Sequence, residues 1–511
     1  MSWWIIALVV AAAFLLLVLL YDITQRKHAI LRNFPIVGHG RYMIEKIGPE
    51  LRQYIVARND EERPFTRDQR SWVYASAKKQ NNYFGFGTDN DLELSPNYFI
   101  VKHSVFPLRE PQKSDPDYDP KHRIPTAKVI GGWRKREHAF RPDSVISLSA
   151  MSYGSLSRTA VESINRGCHY SDALHNTGEG GISPYHDNGA GLIYQLGTGY
   201  YGARDEHGRF SMERLLEQVA KYNVKAIEIK LSQGAKPGRG GVLPAAKVTP
   251  EIAAIRGIPV GKDCLSPASH REFGNADELL DFVESIAEAT GLPVGIKSAI
   301  GALDFWEELA DLMKDGERGV DYIAIDGGEG GTGAAPLVFS DHVALPFKIG
   351  FSRVYRIMAE RDLHDKIVFI GSGKLGFPQN ALFAFAMGCD MVAVAREAML
   401  AIGCIQAQQC QTGHCPTGVA TQNKWLMRGL DPTDKAARLG NYLITLRKEI
   451  MWLCRACGVE HPGLITMDHF EVLDEAFHAI NPRELFHYED EWGIPSESDR
   501  DRIVELMHVE R

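Results

Sequence analysis

The sequence predicts an α/β protein built around a (β/α)8 barrel. Eight short apolar runs alternate with segments of helical periodicity between residues 143 and 425, and this alternation is typical of parallel strands joined by helices. Several runs pass directly into polar or glycine-rich loops, as barrel strands do at the carboxyl end where ligands bind. The predicted strands are residues 145–149, 173–177, 192–195, 226–230, 294–297, 322–325, 367–370 and 390–394.

The helix predicted before the fifth strand carries its own start signal. Asn275 and Glu278 have the spacing of a capping box, in which each side chain accepts from a backbone N–H at the helix start. An apolar stripe at helical spacing follows, formed by Leu279, Phe282, Val283 and Ile286.

The chain begins with an apolar stretch of membrane-spanning length. Residues 3–20 carry no charged side chain, and at about 1.5 Å per helical residue they extend roughly 27 Å, close to the thickness of a bilayer core. A cleaved signal peptide is the alternative, but no Lys or Arg precedes the run and no small-residue cleavage site follows it. Residues 1–24 are therefore predicted to be a single-pass transmembrane anchor. Arg26, Lys27 and Arg32 follow it, which predicts that the body of the protein lies in the cytoplasm.

Residues 25–142 are predicted to form an N-terminal collar or cap packed on the barrel. This segment is polar, rich in proline and aromatic residues, and has no clean hydrophobic period, although residues 98–106 include a candidate strand. The run Trp-Arg-Lys-Arg at residues 133–136 is interpreted as a solvated basic turn.

Residues 426–511 are predicted to form a C-terminal helical extension. The helical pattern continues to about residue 457, and an acidic tail follows. Cys454 and Cys457 are interpreted as packing thiols on one helical face rather than as a redox pair.

Composition narrows the class of protein. The net charge of −8 over 511 residues argues against a nucleic-acid surface, because no basic run is long enough to neutralise a row of phosphates. Eight cysteines in so long a chain do not form a disulfide scaffold. They favour a reducing compartment, in agreement with a cytoplasmic body.

Residues 404–422, CIQAQQCQTGHCPTGVATQ, contain three cysteines in twelve residues. Thiolates of Cys404, Cys410 and Cys415 could converge on one inorganic centre, and three ligands fit a three-iron cluster better than four-coordinate zinc. His414 is the remaining zinc-ligand candidate, but adjacent residues rarely ligate one metal together. A set of reduced, buried thiols is the alternative interpretation.

This segment resembles the cluster-binding segment of the glutamate synthases, with the same cysteine spacing and a similar closing CPxGVATQ. Further segments within residues 145–460 resemble the same family, among them AMSYGS at 150–155, NTGEGG at 176–181 and KLSQGAKPG at 230–238. The resemblance implies a barrel of the FMN-dependent type with FMN and a 3Fe-4S cluster. It also implies the family's reaction, in which 2-oxoglutarate and ammonia form 2-iminoglutarate, hydride from reduced FMN gives L-glutamate, and the cluster refills the flavin.

The FMN-binding residues are predicted from this resemblance and from loop chemistry. Glycine-rich runs at 326–333 and 371–374 can expose backbone N–H groups to a phosphate. Residues 371–374, GSGK, also resemble the end of a P-loop, but an apolar strand precedes them and disfavours an ATP site. The predicted cofactor-binding residues are Ala150, Met151, Ser152, Gln195, Lys230, Lys297, Glu329 (where the family has Asp), Gly330, Gly331, Gly371, Gly373, Lys374, Ala395 and Arg396.

Glu179, Lys230 and Gln233 are the predicted catalytic residues, and Lys236 and Arg256 the predicted substrate-binding residues. Lys230 closes an apolar strand, so its ammonium at the barrel mouth should face an anion, either the flavin N1–C2=O edge or a substrate carboxylate. The resemblance places the matching glutamate near the flavin and the ammonia route. The chain departs from the family at residues 267–272, PASHRE, where the family continues with a His-His-Asp stretch.

The partners are expected to be external. The large family members begin with a cysteine nucleophile that releases ammonia from glutamine, but residue 2 is Ser, so nitrogen is expected from free ammonia or a separate subunit. No dinucleotide fingerprint precedes a helix, so ferredoxin, a flavoprotein subunit or a quinone-linked system is the expected electron donor. Two alternatives stay open: a membrane-linked FMN and iron–sulfur dehydrogenase of another amino or N-alkyl amino acid, and a non-catalytic redox-sensing subunit.

Overall fold

A computed structural model of the chain describes residues 2–25, 29–48, 61–85, 87–92, 95–116, 118–474, 476 and 478–508. The chain forms two compact units, Met1–Asp68 and Gln69–Arg511. The predicted collar is divided between them, because residues 69–142 belong to the same unit as the barrel. Arg26 and Lys27, two of the three basic residues used to predict orientation, lie outside the described residues.

The described part of the first unit contains one long helix and two short ones: α1 Trp3–Thr24, α2 Ala29–Asn33 and α3 Gly38–Lys46. By length and composition α1 is long and apolar enough to cross a membrane. A cleavable signal sequence near an N-terminus has the same length and composition. Near its end Asp22 is buried, and its carboxylate accepts a hydrogen bond from the Ile36 N–H at 2.8 Å and lies 2.9 Å from His39 Nε2. These contacts tie the end of α1 to the start of α3.

In the second unit the strands are short. In chain order they are β1 Tyr98–Val101, β2 Ile146–Leu148, β3 His175–Asn176, β4 Leu192–Leu196, β5 Val224–Lys230, β6 Val242–Leu243, β7 Cys264–Leu265, β8 Val294–Ser298, β9 Tyr322–Asp326, β10 Val368–Ser372, β11 Met391–Val394, β12 Phe470–Leu473 and β13 Ala479–Ile480.

The remaining helices connect and surround these strands. They are α4 Arg67–Ala77, α5 Arg158–Tyr170, α6 Met212–Lys221, α7 Pro250–Arg256, α8 Ala276–Thr290, α9 Asp304–Met313, α10 Leu337–His342, α11 Phe347–Ala359, α12 Pro378–Ala386, α13 Arg396–Ala401, α14 Lys424–Met427, α15 Pro432–Ala456, α16 Pro482–Phe486 and α17 Glu497–His508.

Eight parallel strands close into a barrel, which confirms the predicted fold class. The order around it is β2, β3, β4, β5, β8, β9, β10 and β11, and β11 pairs with β2. All eight predicted strands lie in this barrel. Its interior is packed by buried side chains such as Ile193, Val368 and Met391. Tyr322 also fits inside because Gly295 beside it has no side chain; a Cβ there would lie 2.5 Å from the Tyr322 ring.

Helix α8 forms as predicted, with one difference at its start. The Asn275 side chain accepts a hydrogen bond from the Glu278 N–H at 2.8 Å, but the Glu278 carboxylate accepts from the Gly274 N–H at 2.7 Å rather than from Asn275. The predicted apolar stripe of this helix is buried.

Two segments differ from their sequence interpretation. The basic turn is not solvated, because Arg136 lies 2.6 Å from Glu284 and 3.0 Å from Asp321, and Arg134 also contacts Glu284. The C-terminal extension is helical through α15 but also contributes β12 and β13, which form a three-stranded sheet with β1. Cys454 and Cys457 are buried free thiols.

Candidate active site

The loops at the carboxyl ends of the barrel strands pack closely against one another. Gly178, in the left-handed region at φ 67°, follows β3, and a Cβ there would lie 2.5 Å from the Ser152 nitrogen of the loop after β2. Gly234 follows β5, and a Cβ on it would collide with the carbonyl oxygen of Gly327 after β9. The absence of side chains at these two positions therefore lets four loops converge at one end of the barrel.

The three residues predicted to be catalytic form one hydrogen-bonded group. Lys230 ends β5, and its Nζ lies 2.9 Å from Glu179 Oε1 and donates to Gln233 Oε1 at 2.7 Å. Both charged side chains are largely buried, with 11% of Lys230 and 19% of Glu179 exposed. The anion beside Lys230 in the protein itself is thus Glu179. Whether Lys230 also faces a flavin or a substrate carboxylate stays a prediction.

Lys236 and Arg256, the predicted substrate-binding residues, are buried beside this group. Lys236 Nζ donates to the Gly240 carbonyl at 2.9 Å, and Arg256 Nη2 donates to the Tyr153 carbonyl at 2.9 Å. The Arg256 Nε is buried without a hydrogen-bond partner in the described structure. Neither cation has a carboxylate within ion-pair distance in the described part of the chain.

The cations control the ionisation of Glu179. Burial alone would raise its pKa, but the attraction and hydrogen bond of Lys230, with the charges of Lys236 and Arg256, outweigh burial and lower the pKa below its ordinary 4.5. Burial lowers the pKa of Lys236, and among the described residues Glu179 is the carboxylate that opposes this change. Three cations around one carboxylate leave two positive charges in surplus. Such a site favours an anionic ligand.

Lys297, a predicted cofactor-binding residue, lies in the centre of the barrel end. Its buried Nζ donates to Ser149 Oγ at 3.2 Å and lies 3.7 Å from Asp326 Oδ2. Asp326 also accepts a hydrogen bond from the Gly234 N–H at 3.0 Å. Lys297 is therefore fixed between the ends of β2 and β9.

Predicted phosphate-binding residues meet beyond β9, β10 and β11. Arg396 Nη2 donates to the Glu329 carbonyl, and a Cβ at Gly331 would lie 3.2 Å from the Arg396 side chain. The Glu329 carboxylate accepts from the Phe347 N–H at 2.9 and 3.0 Å, so it caps the start of α11. A Cβ at Gly373 would lie 3.3 Å from that carboxylate.

The other predicted cofactor residues occupy the same end of the barrel. Ala150, Met151 and Ser152 form the loop after β2, Gly330 precedes Gly331, and Ala395 precedes α13. Lys374 follows Gly373 at a left-handed φ of 55°. Gly371 differs from the rest, because a Cβ there would meet Phe347 and Cys389 of the packed interior.

Sequence reasoning named Gln195 but missed three residues that support the site, Glu228, Asn176 and His270. Gln195 donates its Nε2 to buried Glu228 at 2.6 Å, and Asn176 donates to the same carboxylate at 2.8 Å. A glutamate within the apolar strand β5 was a signal for this role. His270, in the segment that departs from the family, is buried and bonds the Lys230 carbonyl at 2.9 Å and the Tyr200 hydroxyl at 2.9 Å.

The cysteine segment adjoins the same loops. Gln422 Nε2 donates to the carbonyls of Gly154 at 3.1 Å and Leu156 at 2.8 Å, which ties the segment to the loop after β2. Burial raises the pKa of Cys404 to about 11, and the Cys410 and Cys415 thiols add to this effect. Within the described residues no three His, Cys, Asp or Glu side chains are close enough for a single metal ion.

A Glu179→Gln change tests the charge balance of the site. It should lower the free energy of unfolding by about 3 kcal/mol near pH 7, because it leaves buried cations uncompensated. Since the folded-state pKa of Glu179 is lowered, its contribution is present above its ordinary pKa of 4.5 and is lost as the pH falls through the folded-state pKa. Urea unfolding of wild type and variant should therefore converge below that pH. Glu217→Gln, which removes the charge of an exposed pair with Arg214, is the matched control and should change the free energy of unfolding little. A difference in the free energy of unfolding between wild type and Glu179→Gln that does not change with pH would contradict the prediction.

Comparison with known proteins identifies the family. Residues 110–460 match the model of the conserved region in glutamate synthase. The glutamate synthase large subunit-like protein YerD of Bacillus subtilis is 36% identical over 91% of this chain and 94% of its own length. The archaeal glutamate synthase [NADPH] of Methanocaldococcus jannaschii is 36% identical over 62% of this chain, which spans 59% of that enzyme.

Two further matches have lower sequence identity, one to a longer protein and one to a solved structure. The ferredoxin-dependent glutamate synthase of Cyanidium caldarium is 30% identical over 64% of this chain, which covers 22% of its length. Among solved structures, a flavocytochrome b2 variant with pyruvate bound aligns with a TM-score of 0.43 and 15% identity over 84% of this chain and 91% of that one. The family model and the YerD match together show that the chain belongs to the glutamate synthase family and is a glutamate synthase-type oxidoreductase.

Proposed function

We propose that the chain reduces 2-iminoglutarate, formed from 2-oxoglutarate and ammonia, to L-glutamate. The observation that supports this most directly is the buried group of Lys230, Lys236 and Arg256 around Glu179. Its two surplus positive charges match the two carboxylates of 2-oxoglutarate, and a monocarboxylate would offset only one of them. The names of the archaeal and ferredoxin-dependent relatives agree with this substrate class.

Each residue of the group has a separate task in this proposal. Lys236 and Arg256 bind the substrate carboxylates, and the unpartnered Arg256 Nε is a donor available for that purpose. Glu179 stays ionised at neutral pH, so it can accept hydrogen bonds from ammonia and hold the nitrogen near the carbonyl carbon. Lys230 and Gln233 fix the orientation of Glu179.

The residues at the barrel end fit FMN. Arg396 and Lys374, with backbone N–H groups of the glycine-rich loops after β9 and β10, form the donor set that a phosphate requires. Lys297, Gln195 and the loop of Ala150, Met151 and Ser152 are the residues proposed to hold the isoalloxazine ring. When bound, FMN supplies the hydride chemistry, and the chain contributes binding, orientation and electrostatics.

Cys404, Cys410 and Cys415 are proposed to hold a 3Fe-4S cluster. Three thiols on one short loop fit this group better than they fit a structural zinc site, which takes four ligands. An external donor, ferredoxin, a flavoprotein subunit or a quinone-linked system, is proposed to deliver the electrons.

Helix α1 is proposed to anchor the protein in a membrane. It is apolar from Trp3 to Leu20, and its most apolar window has no buried residue in the structure.

An anaerobic assay of the protein with 2-oxoglutarate, ammonium and reduced methyl viologen should yield L-glutamate.

Lys236→Met should weaken 2-oxoglutarate binding by about tenfold or more, because it removes one of the proposed carboxylate partners. Lys262→Met, in the same insertion but exposed, is the matched control and should leave affinity unchanged. Oxidation of another amino or N-alkyl amino acid without glutamate formation would favour the dehydrogenase alternative, and absence of any turnover with flavin bound would favour a redox-sensing subunit.

Replacement of Cys404, Cys410 or Cys415 by Ser should remove the iron signal and leave bound flavin largely in place. Iron and flavin per chain, measured for each variant, check this expectation. Cys454→Ser, which changes a buried thiol outside the loop, should retain iron. Iron retained in all three loop variants would overturn the assignment.

A truncated chain that begins at Gln25 should move from the membrane fraction to the soluble fraction and still bind flavin, because residues 3–20 carry no charged side chain. Fractionation and flavin absorbance measure both properties. Loss of flavin would show that α1 contributes to the fold, and full-length protein found only in the soluble fraction would contradict the anchor.

A further inference from the structure

Lys247 lies against the cysteine segment, a contact that the sequence analysis did not predict. It closes a short 3-10 helix, Ala245–Lys247, between β6 and α7, and its side chain is buried. Its Nζ donates to the Cys410 carbonyl at 2.8 Å and to the Ala420 carbonyl at 3.4 Å. These two carbonyls lie on either side of Cys415 in sequence. One ammonium therefore spans the part of the loop that carries two of the three thiols.

The charge of Lys247 has no carboxylate to offset it in the described part of the chain. Ion pairs elsewhere in the barrel join buried lysines to acids, but Lys247 bonds only to neutral carbonyls. Both carbonyl acceptors belong to the cysteine segment, and a Cβ on Gly413 of that segment would lie 3.7 Å from the Lys247 Cε. A buried ammonium is costly unless an anion lies close by. Metal-bound thiolates would supply that negative charge.

We propose that Lys247 is a positioning and counter-charge residue of the iron–sulfur loop. Its hydrogen bonds fix the backbone at Cys410 and at Ala420, on either side of Cys415, and its charge raises the reduction potential of the bound cluster. The inference rests on the proposed cluster at these cysteines. The direction follows from electrostatics: reduction adds negative charge, and a nearby buried cation stabilises the more negative state.

Four variants of the full-length protein separate charge from hydrogen bonding. Lys247→Arg keeps both, Lys247→Gln keeps N–H donors without charge, and Lys247→Met removes both. Lys262→Met removes an exposed lysine of the same insertion and is the matched control. Iron and flavin per chain are measured first, and the midpoint potential of the cluster is then determined by redox titration followed by electron paramagnetic resonance.

The neutral variants should favour the oxidised cluster by about tenfold relative to wild type, a decrease of about 59 mV for one electron. Lys247→Arg and Lys262→Met should stay near the wild-type potential. If both neutral variants lack iron while Lys247→Arg retains it, the charge is needed to hold the cluster, which also supports the proposal.

Two outcomes would overturn it. A full iron content with an unchanged potential in Lys247→Gln and Lys247→Met would show that the charge does not act on the cluster. Loss of iron in Lys247→Arg together with the neutral variants, while flavin is retained, would assign Lys247 a packing role. Absence of iron in the wild-type protein would instead contradict the proposed cluster itself, so the two failures are distinguishable.

Discussion

Closure of the sheet between β11 and β2 is the constraint on which the rest of the structure depends. Val392, Ala393 and Val394 pair with Ile146, Ser147 and Leu148, so the last and first strands of the barrel become neighbours. Because all eight strands are parallel, their carboxyl ends lie at one end of the barrel. Loops that are far apart in sequence meet there, and the cysteine segment, which follows α13, comes next to the loop after β2.

Six buried cations of the described structure divide into two groups. The first group has carboxylate partners: Lys128 pairs with Asp390, Lys297 with Asp326 and Lys230 with Glu179. Lys236, Arg256 and Lys247 are buried without such a pair in the described structure. Arg447 shows that burial alone is not enough to mark a ligand site, because it also bonds only carbonyls while Asp172 and Asp119 nearby offset its charge.

Lys236, Arg256 and Lys247 all lie on one insertion. Residues 231–275 separate β5 from α8, and this segment contains the antiparallel pair of β6 and β7, with α7 between them in sequence. It carries Lys236 and Arg256 to the barrel mouth and Lys247 to the cysteine segment. Its position depends on His270, which holds the Lys230 carbonyl, and on Gly234, which packs on Gly327. One segment thus contributes to both the proposed substrate site and the proposed cluster site.

The sequence by itself determined the barrel, its eight strands and the convergence of Glu179, Lys230 and Gln233. Apolar runs bounded by polar loops are local signals, and parallel closure fixes where their ends meet. Ion pairs between residues far apart in the sequence leave no local pattern, so only the tertiary structure reveals them. Arg136 looked solvated because Glu284 and Asp321, its partners, are more than 140 residues away in sequence. Lys247 stood in an unremarkable loop, and only folding showed that its charge is buried beside Cys410, because burial depends on what the whole chain packs against it.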